Sequence, residues 1–538
     1  MRTRIRYDEG FNVDPWTPGI LRRLPDTQQV IASGQLGQQI AAGRVGTTDY
    51  VVHAAGNVLT ALSITSAGVI TTLPLTWGGS GTILALASDG RRYAVADSTG
   101  IWIGPVDGST NGVKNWNLSA PTNVELGWVK QRLMGCIDRA VYELTDGGGL
   151  SLPAAKYTHP TPGWIWTSIS EDPSAILIAG YAGGTSGIMR FELVADGGVP
   201  TLVAGAEVAQ MPAGEIIYAL RLHAGSFLAI CTSRGLRVGT FNTFSGKLEY
   251  GPLSLITTNP VKAVAGRTDF LYAGGTKMLN GKTESGLMRV DIGTEIDDAG
   301  RKAYAQDLVS PTVLTGEVVG VDVTAAGRIV FVIDGYGLIL EGVGPGSARP
   351  AWLRTSRIRF STVEPKVYRF AQITGTFNSP AQVIVYVSAP GLAEKVALSW
   401  SGGTDPEQFN LVDGPRQWAQ LRFELVGATC ELVSYSIKAL PAASRQRMLQ
   451  YVLLCNDRES DRNGQILNQT GYAKARLLAL EALEDAGAEV QVQEILPGED
   501  PLARRCVIDR ITYRQAVRPT RSGPGRSGVV LVVARTIS

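Results

Sequence analysis

The sequence is poor in the residues that most catalytic chemistry needs. Only three histidines occur in 538 residues, His53, His159 and His223, and none stands in the HxH or HExxH spacing of a metal site. No GxSxG nucleophile elbow occurs, and the glycine run Gly147-Gly148-Gly149 lacks the Lys-Ser/Thr that completes a phosphate loop. Five cysteines, Cys136, Cys231, Cys430, Cys455 and Cys506, are odd in number and widely scattered, so neither a disulfide framework nor a CxxC zinc site is expected and buried free thiols are. Excess charge is also missing: 50 basic against 48 acidic residues give +2, without the basic face of a nucleic-acid binder. No window reaches the ~18–20 apolar residues of a membrane helix. Met1-Arg2-Thr3-Arg4 runs into charged and polar residues without an apolar signal segment. The expectation is a chain made in a reducing cytosol, not inserted in a membrane, not an enzyme, and with no cofactor or metal.

Glycine and apolar residues are abundant. The 63 Gly and 27 Pro, with 44% apolar and 18% charged residues, fit a turn-rich, mainly β protein with ordinary cores. A unit of apolar strand, polar turn, apolar strand, turn and further apolar strand recurs. It is clearest at residues 84–103 (LALASDGRRYAVADSTGIWI) and 321–340 (VDVTAAGRIVFVIDGYGLIL). With Val51, Tyr93, Met134, Ile176, Phe227, Phe270 and Ile329 as matched core positions, the steps are 42, 41, 42, 51, 43 and 59 residues. A period of ~40–45 residues holding about four short strands is the signature of a propeller blade. One blade alone cannot bury both of its faces, and a ring of neighbours can. Seven copies predict seven blades over 36–350. Six or eight remain open to an alignment error of one unit, and two successive β-sandwiches are the competing reading. Residues 1–35, with turn signals around Asp14-Pro15-Trp16, read as an N-terminal entry arm, in which Trp16, Ile20 and Leu21 point to packing somewhere on the rest of the chain.

From Trp352 the rhythm lengthens to alternating strands separated by turn clusters at Pro390-Gly391 and Ser401-Gly402-Gly403, which predicts a β-sandwich over 351–442. Trp400, Phe409 and Trp418 are candidates for a sugar platform, although strand aromatics more often fill cores. A third unit, 443–538, carries a strand at 448–456 and an amphipathic helix at 471–486, with Ala473, Leu477, Leu480 and Leu483 on one face and Gly487 as its stop. Strands at 489–495, 505–515 and 529–536 follow. The last two are joined by VRPTRSGPGRSG, whose Arg518, Arg521 and Arg526 stand without an acid; the readings are a plain solvated hairpin loop, an arm that orders against a partner, and a nucleic-acid contact. Asp97, Asp138, Asp334 and Glu341 follow blade strands, where propeller glycosidases place carboxylates. A turn-forming role is the commoner use of Asp there.

The segments SYSIKALPAASRQRMLQYVLLCNDRESDRNGQ, GYAKARLLALEAL and CVIDRITYRQAVRPTRSGPGRSGVVLVVARTI, in the last ~120 residues, resemble the C-terminal part of minor tail proteins of actinobacterial, mycobacteriophage-like long-tailed phages. The resemblance implies a virion structural protein of the tail tip, made in the host cytoplasm. It also implies a C-terminal α+β tail-tube or hub-like domain that builds a trimer or ring with itself and with other tail-tip proteins, and contact with a host-surface glycan or protein. It carries over no catalytic residues. The run Asp457-Arg458-Glu459-Ser460-Asp461-Arg462 has paired opposite charges, so Asp457, Arg458, Glu459, Asp461 and Arg462, with Arg518, Arg521 and Arg526, are the expected assembly surface. Residues 529–536 would offer it a free apolar strand edge. The other readings are a carbohydrate-active propeller enzyme and a non-catalytic bacterial propeller that binds proteins.

Overall fold

The computed structural model describes residues 7–17, 19–144, 149–195, 201–242, 246–279, 282–293, 307–309, 316–343, 350–360, 362, 364–376, 380–401, 406–412, 414–441, 448–457, 463, 465, 471–494, 502–515 and 527–537. Seven four-stranded antiparallel units follow one another as blades. The first consists of Gln39–Val45, Thr48–Ala55, Val58–Ile64 and Ile70–Pro74. The innermost strands of the next five are Ala85–Ser88, Val124–Val129, Ile165–Glu171, Ile217–His223 and Val264–Arg267. In the seventh, Val318–Val323, Ile329–Ile333 and Gly337–Glu341 take their outer strand from the other end of the chain, Thr27–Ala32. Each innermost strand packs beside the next, and the seventh returns to the first. All seven matched core positions, from Val51 to Ile329, fall in the second strand of their blade. The long step of 51 residues is taken up by the ten-residue strands Thr185–Val194 and Thr201–Gln210.

Why the second strands read as continuous apolar runs follows from the period of two. Along Ala175–Ala182, Ile176 and Ile178 face the third blade while Leu177 and Ala179 face the fifth, so both faces are buried. The result is a separate apolar core between every pair of consecutive blades, including the seventh and first, where Val330 and Val332 meet Val51 and Leu62. All five cysteines are buried thiols: Cys136 and Cys231 lie in cores between blades, Cys430 in the sandwich core and Cys455 in the core of the C-terminal unit.

The turns after the innermost strands add a belt of polar contacts around one rim. The Arg44 N–H donates to the Gly90 carbonyl, and Arg92 lies 4.8 Å over the Trp128 ring. The Lys130 N–H reaches the Glu171 carboxylate at 3.2 Å, and the Leu222 N–H reaches the Ser170 hydroxyl at 3.3 Å. His223 meets the Thr268 carbonyl at 2.6 Å, Arg267 pairs with Glu341, and the Ala326 N–H donates to Asp49 at 2.9 Å. Every junction of the ring is tied.

Residues 1–35 are not an arm where they are described. Tyr7–Phe11 lies in a nine-stranded sheet, parallel to Asp307–Val309 of the sixth blade and antiparallel to Trp352–Thr355 of the sandwich. Val13–Asp14 and Leu21–Arg23 join the opposite sandwich sheet, and Thr27–Ala32 closes the ring. The physical reason is edge pairing: these short segments, with isolated apolar residues, cover strand edges that the ring and the sandwich would otherwise expose. At the closure, Gly337 holds φ +122° and a Cβ there would come 2.1 Å from the Ile31 carbonyl oxygen, so only glycine admits this approach. Stitched through Tyr7–Phe11, propeller and sandwich share a sheet. Phe11 stacks on Trp352 at 6.3 Å, and Arg289 of the sixth blade donates to the Val13 carbonyl at 2.9 Å.

The sandwich packs Trp352–Thr355, Gln420–Val426, Gln382–Ala389 and Leu392–Trp400 against Lys366–Thr376, Glu431–Pro441 and Glu407–Asn410. Its core holds Tyr368, Val383, Val385, Leu421 and Phe423.

Candidate assembly surface

Beyond the sandwich stands a four-stranded antiparallel sheet in the order Met448–Asn456, Ser527–Thr536, Leu502–Gln515, Glu489–Glu494, with one helix, Tyr472–Ala486. The helix covers one face of it. Ala473 is buried, and Leu477, Leu480 and Leu483 pack on Cys455, Ile508, Val530 and Val532, as their spacing predicts. Gly487, at φ +57°, ends the helix, with its N–H donating to the Glu484 carbonyl. The unit seats on the sandwich at this end: a Cβ on Gly487 would lie 3.4 Å from Trp418 Nε1, and Arg357 lies 4.8 Å over the Trp418 ring. Nearby, the buried Arg535 pairs with Asp509 at 3.3 Å. Burial pushes the Asp509 carboxyl up, and Arg535, Arg359 and Lys366 pull against it.

Asp457 is buried and does not stand on the surface. It is 3% exposed, and its Oδ1 accepts from the N–H groups of Gly471 at 3.1 Å and Ala473 at 2.9 Å. Those are orphan donors of the first helical turn, so the carboxylate acts as a helix cap contributed from the end of a neighbouring strand. Local sequence could not reveal this, because 14 residues separate it from Gly471. Arg458, Glu459, Asp461, Arg462, Arg518, Arg521 and Arg526 lie outside the described residues.

The expected free edge at 529–536 is absent. Ser527–Thr536 is an interior strand, paired with Met448–Asn456 on one side and Leu502–Gln515 on the other. Among the described residues the free edges are Met448–Asn456 and Glu489–Glu494. Met448–Asn456 alternates by position: Leu449, Tyr451, Leu453 and Cys455 turn to the helix side, while Met448, Val452 and Leu454 are 58%, 65% and 57% exposed. The partners of Val452 and Leu454 across the sheet, Leu531 and Val529, are half-buried, so the apolar surface extends from these two positions inward, while Met448 stands opposite the buried Arg535. The signal was present in the sequence. A strand written MLQYVLLCN is apolar at nearly every position, and one helix can cover only one of its faces.

The remaining candidates do not assemble a reaction centre. Asp97 Oδ1 accepts from the N–H groups of Thr99 and Gly100, and Asp138 Oδ1 from the Thr122 N–H and hydroxyl; both latch turns. Asp334 accepts from the Gln38 N–H at 3.3 Å, and Glu341 accepts from the Ile329 N–H and pairs with Arg267. The three histidines stay apart: His53 in the first blade, His223 on the rim, and His159 stacked 3.8 Å from Trp164 between the third and fourth blades. Trp400 and Phe409 sit in the sandwich core and Trp418 lies under Arg357, so they form no exposed platform. No group of three or more His, Cys, Asp or Glu among the described residues is arranged to hold a metal, and no helix among them is long and apolar enough to cross a membrane.

No protein-family model matches the sequence, and no curated protein does. Among solved structures, the chain is similar to virginiamycin B lyase from Staphylococcus aureus at 15% identity and TM-score 0.38, over 59% of this chain and 98% of that one. It is similar to the Dos1 propeller at 9% identity and TM-score 0.39, over 59% and 94%. It is also similar to the computationally designed protein Ika8 at 11% identity and TM-score 0.36, over 59% and 100%.

Proposed function

We propose that this chain is a structural subunit of a phage tail tip, in which the propeller and sandwich present loops outward and the C-terminal α+β unit joins subunits into a ring or trimer. The single observation that carries the assembly half of this reading is the strand Met448–Asn456, an edge without a neighbour among the described residues, with Met448, Val452 and Leu454 exposed on a sheet whose other face is already filled by the helix. Exposed apolar edges invite strand addition, and proteins that do not use them cover or charge them. The second free edge, Glu489–Glu494, lies across the same sheet. Joining unlike edges of successive copies is a head-to-tail contact, which closes into rings when the rotation permits. The tail-tip setting rests on the resemblance of the segments at 434–439, 445–462, 477–483 and 528–537 to minor tail proteins, and neighbouring tail proteins are the further partners.

The test compares the full chain with a chain ending at residue 442 by sedimentation velocity. Concentration-dependent assembly of the full chain, absent from the truncated one, is the expected result. A full chain that stays monomeric at every concentration refutes the assembly reading.

A further inference from the structure

A cleft of about 440 Å³ opens on the face of the ring opposite the polar belt, between the outer strand of the seventh blade and the first blade. That volume lies within the ~300–1,000 Å³ that small-molecule sites occupy. Three connections build its wall: the segment after Thr27–Ala32, the turn between Thr48–Ala55 and Val58–Ile64, and the loop leading to the second blade. Ser33, Gln35, Asn57, Thr60, Ser80 and Thr82 supply hydroxyls and amides, and no Asp, Glu, Lys or Arg lines it. His53 is the one buried residue of the lining, at 2% exposure, and forms the floor.

The floor histidine is held in one state. Gln38 is itself 1% exposed, and its amide nitrogen donates to the carbonyls of Gln35 at 2.8 Å and Ile333 at 3.4 Å. Two carbonyl acceptors fix the amide's orientation, so its oxygen is what meets His53 Nε2 at 2.8 Å. The imidazole therefore carries its proton on Nε2, and Nδ1 keeps a lone pair with no hydrogen-bond partner among the described residues. Burial lowers the His53 pKa to about 4, which keeps the ring neutral at neutral pH. At the mouth, Gly56 takes φ +63° and lies against Gln35: a Cβ there would be 3.6 Å from its Oε1.

We propose that this cleft binds an uncharged, polyhydroxylated ligand, a neutral pyranose sugar, with the lone pair of His53 Nδ1 accepting from one ligand hydroxyl. A charged ligand would lose its hydration here without meeting an opposite charge, whereas a neutral sugar exchanges water hydrogen bonds for hydroxyl and amide partners. Apolar surface from Ala55 and Val58 faces the sugar's C–H edge. The inference stands apart from the assembly reading, since it uses no residue beyond the ring.

The test is saturation-transfer NMR and calorimetric titration of the full chain with glucose, galactose, mannose, arabinose and N-acetylglucosamine, with glucuronate as the charged control. At least one neutral sugar saturates the wild-type chain, and glucuronate does not. Asn57→Ala, at an exposed position that leaves the fold intact, and His53→Gln each weaken binding about tenfold. If His53→Gln loses the native circular-dichroism spectrum, Asn57→Ala decides alone. The proposal is overturned if no neutral sugar saturates, if glucuronate binds as well as the neutral sugars, or if Asn57→Ala binds as the wild type does.

Discussion

Replacing Val452 and Leu454 together by lysine separates folding from assembly. Both side chains stand on the face of Met448–Asn456 away from the helix, 65% and 57% exposed, so the isolated subunit loses little by their removal. Surface changes of this kind usually stay within about ±0.5 kcal/mol, and lysine is a common guard on free strand edges. Covering the exposed parts of the two side chains in a contact is worth roughly 1–1.5 kcal/mol each, from the ~1.5–3 kcal/mol of full burial. The variant therefore loses about 2–3 kcal/mol of association, or roughly 30- to 150-fold in dissociation constant, before any cost of burying an unpaired ammonium. Sedimentation velocity over a concentration series reads the association, and thermal melting of the same samples reads the fold. An unchanged melting temperature with assembly shifted to much higher concentration is expected. If the double variant assembles as tightly as the wild type, Met448–Asn456 is not the contact strand.

Removing residues 1–32 abolishes cooperative folding rather than trimming an arm, because the outer strand of the seventh blade and three strands of the sandwich region leave with it; a truncated chain with native thermal melting would refute this. Asp457→Ala strips the acceptor from the Gly471 and Ala473 N–H groups. It destabilises the C-terminal unit by about 1–2 kcal/mol, with Asp457→Asn costing less, as hydrogen exchange in the helix would register. Glu125, on the innermost strand of the third blade beside Cys136, makes no hydrogen bond or ion pair among the described residues, and burial raises its pKa from 4.5 to about 8. The folded state then holds a proton that the unfolded chain has released, so this group's contribution is whole below about pH 4.5 and is lost as pH rises toward about 8. Glu125→Gln should be more stable than the wild type at the alkaline end and indistinguishable at the acid end, measured by denaturant unfolding across that range. His53 acts with the opposite sign: its pKa falls from 6.5 to about 4, so acidification through that interval weakens the ring, and His53→Gln flattens the slope.

The blade repeat was legible in sequence because it is local. Each second strand is buried on both faces, which forces a continuous apolar run, and the steps between such runs measure the blade directly. The helix was legible for the same reason, since the contacts of Ala473, Leu477, Leu480 and Leu483 follow from a 3.6-residue period alone. What tertiary structure decided is everything that depends on pairing between distant segments. Thr27–Ala32 has no feature that distinguishes an arm from the last strand of a ring; only the open edge of Gly337–Glu341, some 300 residues away, assigns it. Asp457 reads as a surface charge until the helix start arrives beside it, and Ser527–Thr536 reads as an edge until both neighbours pair. Strand edges are satisfied by backbone groups that every residue carries, so the side-chain sequence records that a strand forms but not which partner covers it.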